Sequence, residues 1–430
     1  MRWVTGIVAL SMAIPAAAQQ AQAPQHLEVT LPEAIRRALE VQPAMVSAEG
    51  GVRTANAQML VNSGSFLPSI FAGASSSRSG GSQVVGNQII SAPARSRFSG
   101  SLSATLDLFT GFRRVAARRA AGASQDAADA GLIDQRYRVI LGTKQAFYNA
   151  LANEELVRVA EAQLARTRQQ LQISTEKLHA GSATRSDSLR SLVDFGNAQI
   201  ALLQAQANLA FAQATLGRQV GIDQPVRAVP DSAVPAVPDT TGLRETAVST
   251  APLVRQADAL ARAARAQVSV SRSFYWPTFS TSFSTGYSGV TPPWNDTRGY
   301  LDNWAVGFSV SFTVFNGFTR EQGVVNASVQ RDITQAQAAD ARRALNASLT
   351  QAIAALQTAV AQRAIAQSIL AAATEDLRVQ NERYRVGAAT ILDLLTSQAS
   401  LTQAEVNQVQ TRFIYLVARA TLEAVVGHEL

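Results

Sequence analysis

The chain contains itself twice. Gly111-Phe112 and Gly317-Phe318 lie 206 positions apart, and at that same offset TEKLHAGSATRSDSL (from Thr175) falls on NERYRVGAATILDLL (from Asn381). The overlay pairs Gly181 with Gly387, Thr184 with Thr390, Asp187 with Asp393 and Leu189 with Leu395, and later Gly221 with Gly427. Upstream, Phe66-Leu67-Pro68 matches Tyr275-Trp276-Pro277 at an offset of 209. An offset held over this distance is the mark of duplication, so the fold must be two copies of one unit. The copies are read as 19–221 and 242–430, with a surface connector at 222–241 where Pro225, Pro230, Pro235 and Pro238 prevent a continuous helix.

Each copy reads as a short helical region, two strands, a very long helix and a second helix. The strand pairs are expected at 66–77 with 97–109 and at 276–287 with 303–315. The long helices are expected at 112–180 and 318–386, followed by helices at 184–217 and 390–425. Neither long helix meets a strong stop before Gly181 or Gly387, which at 1.5 Å per residue gives about 100 Å of helix. Such a helix needs a coiled-coil partner. Val157, Leu164, Leu171 and Leu178 recur every seven residues, as do Phe195, Leu202, Leu209 and Leu216, with Leu370, Leu377 and Tyr384 in the second copy. These stripes are packing and call for no ligand.

The strands have a different demand. Phe98, Leu102, Leu106 and Leu108 alternate with Ser99, Ser101, Ser103, Thr105 and Asp107. Trp304, Val306, Phe308, Val310, Phe312 and Val314 alternate with Ala305, Gly307, Ser309, Ser311 and Thr313. One face is greasy and the other small and hydroxylated, over the length of a tilted membrane strand. Leu102, Leu106, Val306, Phe308, Val310 and Phe312 are therefore expected to face lipid. A half-buried soluble sheet shows the same alternation, and the amino terminus decides between them. Arg2, the apolar run Gly6–Ile14 and Ala16-Ala17-Ala18 form an expected secretory signal at 1–18. Four strands leave open edges that hydrocarbon does not tolerate, so the barrel must be completed by further copies, their number unspecified.

Composition narrows the function. The chain has no cysteine and only His26, His179 and His428, which gives no thiolate chemistry and no persuasive metal or catalytic cluster. No nucleophile–base set, phosphate loop or carboxylate pair stands out, so no enzyme and no cofactor is expected. Metal export is without support, since no Met, His or Cys ladder lines a helix. The net charge of +7 is spread among Glu and Asp and reads as a solvated surface, with no nucleic acid as partner.

The repeat, the strand pairs and the glycine turns together resemble the TolC-like outer-membrane efflux protein family. The most specific local likeness is RYRVGAATILDLL (Arg383–Leu395), with a looser counterpart in KLHAGSATRSDSL (Lys177–Leu189). The resemblance implies a mainly α fold with a membrane β-barrel. A homotrimer would close 12 strands in the outer membrane, and a coiled-coil helical barrel would project into the periplasm. It implies that the turns at Gly181, Ser182, Ala183, Thr184 and at Val386, Gly387, Ala388, Ala389, Thr390 form a tip that docks a periplasmic adaptor of an inner-membrane pump. It further implies a tunnel-entrance gate drawing on Asp187, Tyr384 and Asp393. Tyr384 is expected to brace against the region of Asp187, and Arg185 stands in for an arginine that other members carry where this chain has Ala389. The acids have a plainer reading as helix N-terminal caps. The expected function is a passive exit duct for small toxic compounds. The alternatives are the outer-membrane exit of a type I protein secretion system and, in a different class, a periplasmic coiled-coil spacer with no conduit.

Overall fold

The computed structural model describes residues 27–86, 88–230, 235–239, 242–243 and 251–430; the expected signal at 1–18 lies outside the described residues. The first copy runs β1 (Leu27–Val29), α1 (Leu31–Val41), α2 (Pro43–Gly64), β2 (Ser69–Val85), β3 (Gln88–Thr110), α3 (Arg113–His179) and α4 (Arg185–Val220). After β4 (Val226–Ala228) the second copy contributes α5 (Pro252–Arg272), β5 (Thr278–Gly289), β6 (Leu301–Ser311), α6 (Thr319–Arg385) and α7 (Ile391–Val426). Both α3 and α6 have 67 residues, hence about 100 Å. Both α4 and α7 have 36.

Each long helix folds back on the helix that follows it, α3 on α4 and α6 on α7, while α5 wedges between α3 and α6 and α2 lies along α3. The main core forms where α3, α4, α6 and α7 converge with β1 and β4. Phe147, Leu216, Leu349, Leu356, Tyr415 and Leu422 are fully enclosed there. Burying each large side chain is worth about 1.5–3 kcal/mol. Lys144 and Glu423, both nearly buried, pair at 2.5 Å between α3 and α7, with Arg419 on the other carboxylate oxygen at 3.2 Å. Many buried positions of α3 are small: Thr143, Ala150 and Val157, then Ala160, Thr167 and Ser174, form two trios spaced by seven, alongside the larger Phe147 and Leu151. Leu164, Leu171 and Leu178, the stripe read from the sequence, flank these positions half-buried. The enclosed row of α3 is therefore not the leucine stripe.

Two strand boundaries and the connector depart from expectation. The first hairpin does not fray after residue 77. β2 and β3 stay paired to Val85 and Gln88, beyond the expected strand ends, and reverse at Gly86, whose φ is +63°. Ladder hydrogen bonds use only the backbone, so a Ser/Gly segment without alternation pairs as well as a patterned one. β6 ends at Ser311, so Phe312 lies just beyond the strand. The connector is also no loose surface loop: β4 pairs in parallel with β1, and the enclosed Tyr415 hydroxyl donates to the Pro235 carbonyl at 2.9 Å. Proline excludes helix but still offers a carbonyl, and a buried phenol requires an acceptor.

Candidate functional site

The four long strands form one antiparallel sheet in the order β2-β3-β5-β6. Its register places most greasy positions on one side, with Phe71 opposite Ser103 and Leu301 opposite Ser288 as exceptions. Ala72, Leu102, Thr285 and Trp304 lie in one row across the sheet, Ala104, Phe283 and Val306 in the next, and Leu106, Thr281 and Phe308 beyond. The opposite side carries Ser99, Ser101 and Ser103 against Ser288, Gly286 and Ser284, with Asn303, Ala305 and Gly307 on β6. Its hydroxyls pair across strands, Ser75 with Ser99 at 2.8 Å and Ser280 with Ser309 at 2.7 Å. A bulge at Leu108 resets the alternation, so Phe109 stands opposite Phe279 on the greasy side and not with Asp107. Val306, Phe308 and Val310 are exposed on this side, Leu102 is exposed less, and Leu106 is half-buried.

The Gly-Phe pairs are the joints between sheet and helices. Gly111 and Phe112 have φ of +60° and +65°, and Gly317 and Phe318 have +63° and +64°. Two successive left-handed residues turn an extended chain into a helix start, at a cost of about 1–2 kcal/mol for a side chain such as Phe. Aromatic contacts hold each joint, with Phe112 edge-on to Phe109 at 5.3 Å and Phe318 edge-on to Phe315 at 5.5 Å. Arg114 over Phe66 and Arg320 over Tyr275 repeat the same cation–π clasp in the two copies.

At the far end of the helices the two turns are built alike. The Gly181 N–H donates to the Leu178 carbonyl and the Ser182 N–H to Lys177; Gly387 and Ala388 repeat this with Tyr384 and Arg383. This paired reversal requires a left-handed residue, and the glycines supply it at φ of +75° and +78°. Thr184 and Thr390 then cap α4 and α7 through reciprocal bonds with Asp187 and Asp393. The Asp187 N–H reaches Thr184 Oγ1 at 3.3 Å and the Thr184 N–H reaches Asp187 Oδ2 at 3.0 Å, against 3.2 and 2.9 Å in the second copy. Both acids therefore serve their own helix ends.

The Asp393 carboxyl is held below its ordinary range by the Thr390 backbone and hydroxyl donors, with Arg383 adding to the effect. A lowered folded-state value means this carboxylate contributes stability above the usual carboxylate range, and the contribution disappears as pH falls through the lowered value. The start of α7 should thus fray in acid. Amide protection factors at Thr390 and Asp393 should fall as pH drops below the ordinary aspartate range in the wild-type protein and be low at every pH in Asp393→Ala. Protection factors that do not change with pH in the wild type would overturn the carboxylate's contribution.

Tyr384 makes no hydrogen bond with Asp187 among the described residues, and it meets Lys177 instead. Lys177 sits over its ring at 3.8 Å, and the Lys177 ammonium donates to the Tyr384 carbonyl at 3.1 Å. Burial pushes the Tyr384 hydroxyl above its ordinary value, a hydrogen bond with Gln170 offsets part of this, and Asp187 adds only through its charge. Arg185 is exposed and forms no ion pair among the described residues. Lys177, Gln170 and Arg383, whose guanidinium donates to the Ala388 carbonyl at 3.3 Å, are tip residues that sequence reasoning missed. A lysine in the last turn of a helix reads as a solvated C-terminal charge, and nothing local indicates a tyrosine 207 positions away.

A membrane-type sheet joined through strained aromatic hinges to two helical hairpins of this length defines a class, the channel-tunnels of the bacterial envelope. The chain belongs to the Outer membrane efflux protein family, whose sequence profile matches residues 34–221 and 243–428. It is similar to the pyoverdine export outer membrane protein OpmQ of Pseudomonas aeruginosa, 26% identical over 419 residues covering 91% of this chain and 84% of the relative. The cobalt-zinc-cadmium resistance protein CzcC of Cupriavidus metallidurans is 22% identical over 321 residues, 74% of each chain. The fold matches the Campylobacter jejuni CmeC outer membrane channel with a TM-score of 0.81 at 16% identity, over 92% of this chain and 85% of that one. The protein is thus an outer-membrane efflux channel with its helices in the periplasm. Channel proteins make up this family, so the spacer reading is set aside.

Proposed function

We propose that three copies of the chain close into a 12-stranded barrel continued by a helical tunnel, and that this assembly is the passive exit duct of a tripartite pump. The observation that carries this reading is an imbalance between the repeats. Inside the chain β3 pairs with β5, α3 packs on α5, and α3 touches α7. Applying the repeat to each contact calls for β6 against β2, α6 against α2, and α6 beside α4. Those partners can come only from another copy. The elements awaiting them carry the exposed apolar residues: Val61 on α2, Phe211 on α4, Val329 and Ile365 on α6. A closed ring satisfies every one of these contacts and removes both sheet edges.

The tip turns Gly181–Thr184 and Val386–Thr390 are the proposed docking points for a helical adaptor, their small side chains leaving backbone within reach. Tyr384 and Lys177 form the intrachain link that opposes opening, with Asp187, Asp393 and Arg185 at the entrance. The relatives' names attach to cargoes as different as pyoverdine and heavy metals. The small, hydroxylated side of the sheet, which also carries Arg97 and Asp107, would line a passage open to either kind.

Single-channel recording of the purified protein in a planar bilayer tests the duct. The wild type is expected to conduct, and Lys177→Met to raise the open population about two- to fivefold, as loss of one cation–π contact at a part-exposed site allows. A protein that inserts as a trimer yet stays silent in both forms would sink the duct. Unchanged gating in Lys177→Met would sink only the link.

A further inference from the structure

The second copy's loop 290–300 does not continue the strands as the first hairpin does. It folds back over the greasy side of the sheet. Gly289, which faces Phe98 in the register, has the Tyr300 ring where a Cβ would stand. The Tyr300 hydroxyl donates to the Thr291 carbonyl at 2.8 Å, and the Thr291 hydroxyl to the Asp296 carbonyl at 2.8 Å, so the loop is pinned in this place. Trp294 packs edge-on to Phe98 at 5.9 Å. Between loop and sheet lies a cavity of about 650 Å³ lined by Ala74, Phe98, Gly100, Tyr287, Trp294 and Tyr300. Its floor is open, since a Cβ on Gly100 would meet nothing within 4 Å. The volume is that of a small-molecule site.

We propose that this cavity holds an acyl chain of an outer-leaflet lipid, with the lipid phosphate met by Arg78. The inference rests on reading the greasy face as the lipid-facing one. Three observations then converge. The cavity opens on that face at the end of the sheet remote from the helices, where Tyr287, Trp294, Tyr300 and Trp304 gather as an interfacial aromatic belt. Its walls are hydrocarbon and aromatic, and Trp294 is 77% exposed in the chain alone, which suits an apolar occupant. Arg78 stands two residues beyond Ser76 on the same side of β2, opposite Ser96, and has no ion-pair partner among the described residues. A guanidinium fork there suits a phosphate at headgroup level.

The test uses the full-length protein in detergent, carrying Trp3→Phe, Trp276→Phe and either Trp294 or Trp304 as the one reporter, titrated with brominated phosphatidylglycerol. The expected result is saturable quenching of Trp294 at equimolar lipid, lost when Gly100→Leu fills the floor and weakened about tenfold by Arg78→Ala. Trp304, on the open face of β6, should follow only the bulk lipid content of the micelle. Quenching of Trp294 that merely tracks Trp304 and ignores Gly100→Leu overturns the site. Quenching of Trp304 with Trp294 silent also overturns it and leaves the lipid-facing reading intact, with a neighbouring copy as the cover. If neither reporter is quenched, the lipid-facing reading itself has failed.

Discussion

Val306→Arg is expected to leave little protein in the outer membrane, whereas Ser309→Arg three positions along the same strand inserts and alters ion selectivity. Val306 lies mid-strand on the greasy side, in the row with Phe283 and Ala104. An arginine there costs about 2–4 kcal/mol near the bilayer midplane, and a closed trimer would incur it three times over. Ser309 belongs to the hydroxyl side, where its neighbour across the strands is Ser280 at 2.7 Å. A charge there enters a water-filled lumen and changes which ions pass. Phe312→Arg, beyond the end of β6, should fall between them at about 0–1 kcal/mol, as for a residue at the interface. Protease protection of the strands in membrane fractions reads all three. Recovery of Val306→Arg at the wild-type level would show that this side does not meet hydrocarbon.

The second large effect separates folding of the chain from closure of the ring. Gly111→Ala is expected to cost about 2–5 kcal/mol, the sum of a positive-φ alanine and an overpacked contact. An added Cβ would lie 2.5 Å from the Ser273 carbonyl oxygen and 2.7 Å from the Trp276 Cβ, neither of which can move without shifting the joint. Gly317 has the same backbone at φ +63°, yet a Cβ there meets nothing within 4 Å inside the chain. The repeat places the turn after α2, around Gly64 and Leu67 of a neighbouring copy, where Ser273 and Trp276 stand for Gly111. Gly317→Ala should therefore leave the chain folded and weaken the trimer by an amount close to the loss in Gly111→Ala. Helix content by circular dichroism and trimer survival in detergent separate the two. A Gly317→Ala trimer as stable as the wild type would refute the proposed closure.

The parts of this protein that were legible in its sequence are those governed by near neighbours along the chain. Duplication is an identity pattern and needs no structure. The long helices follow from the absence of breakers, and the tip turns from a glycine that alone accepts the left-handed position three residues before a threonine cap. The two-faced strands follow from a period of two. The plain capping of Asp187 and Asp393 was visible in the Thr-x-x-Asp spacing and is the geometry found.

What only the tertiary structure decided involves partners far apart in sequence. The bulge at Leu108 moves Phe109 to the greasy side because β5 sets the register there. On α3 Thr143, Ala150 and Thr167 are enclosed while Leu164, Leu171 and Leu178 stay half-buried, because which row is covered depends on the helices packed alongside, and a heptad does not name them. The connector gains a strand because β1 offers an edge to it, and Tyr384 finds Lys177 and Gln170 because the two hairpins lie side by side. The loop over the sheet creates a cavity from residues of both copies. Periodicity and turn chemistry are local energies and can be read in order; register, approach distance and cavities are set by what the rest of the chain brings alongside.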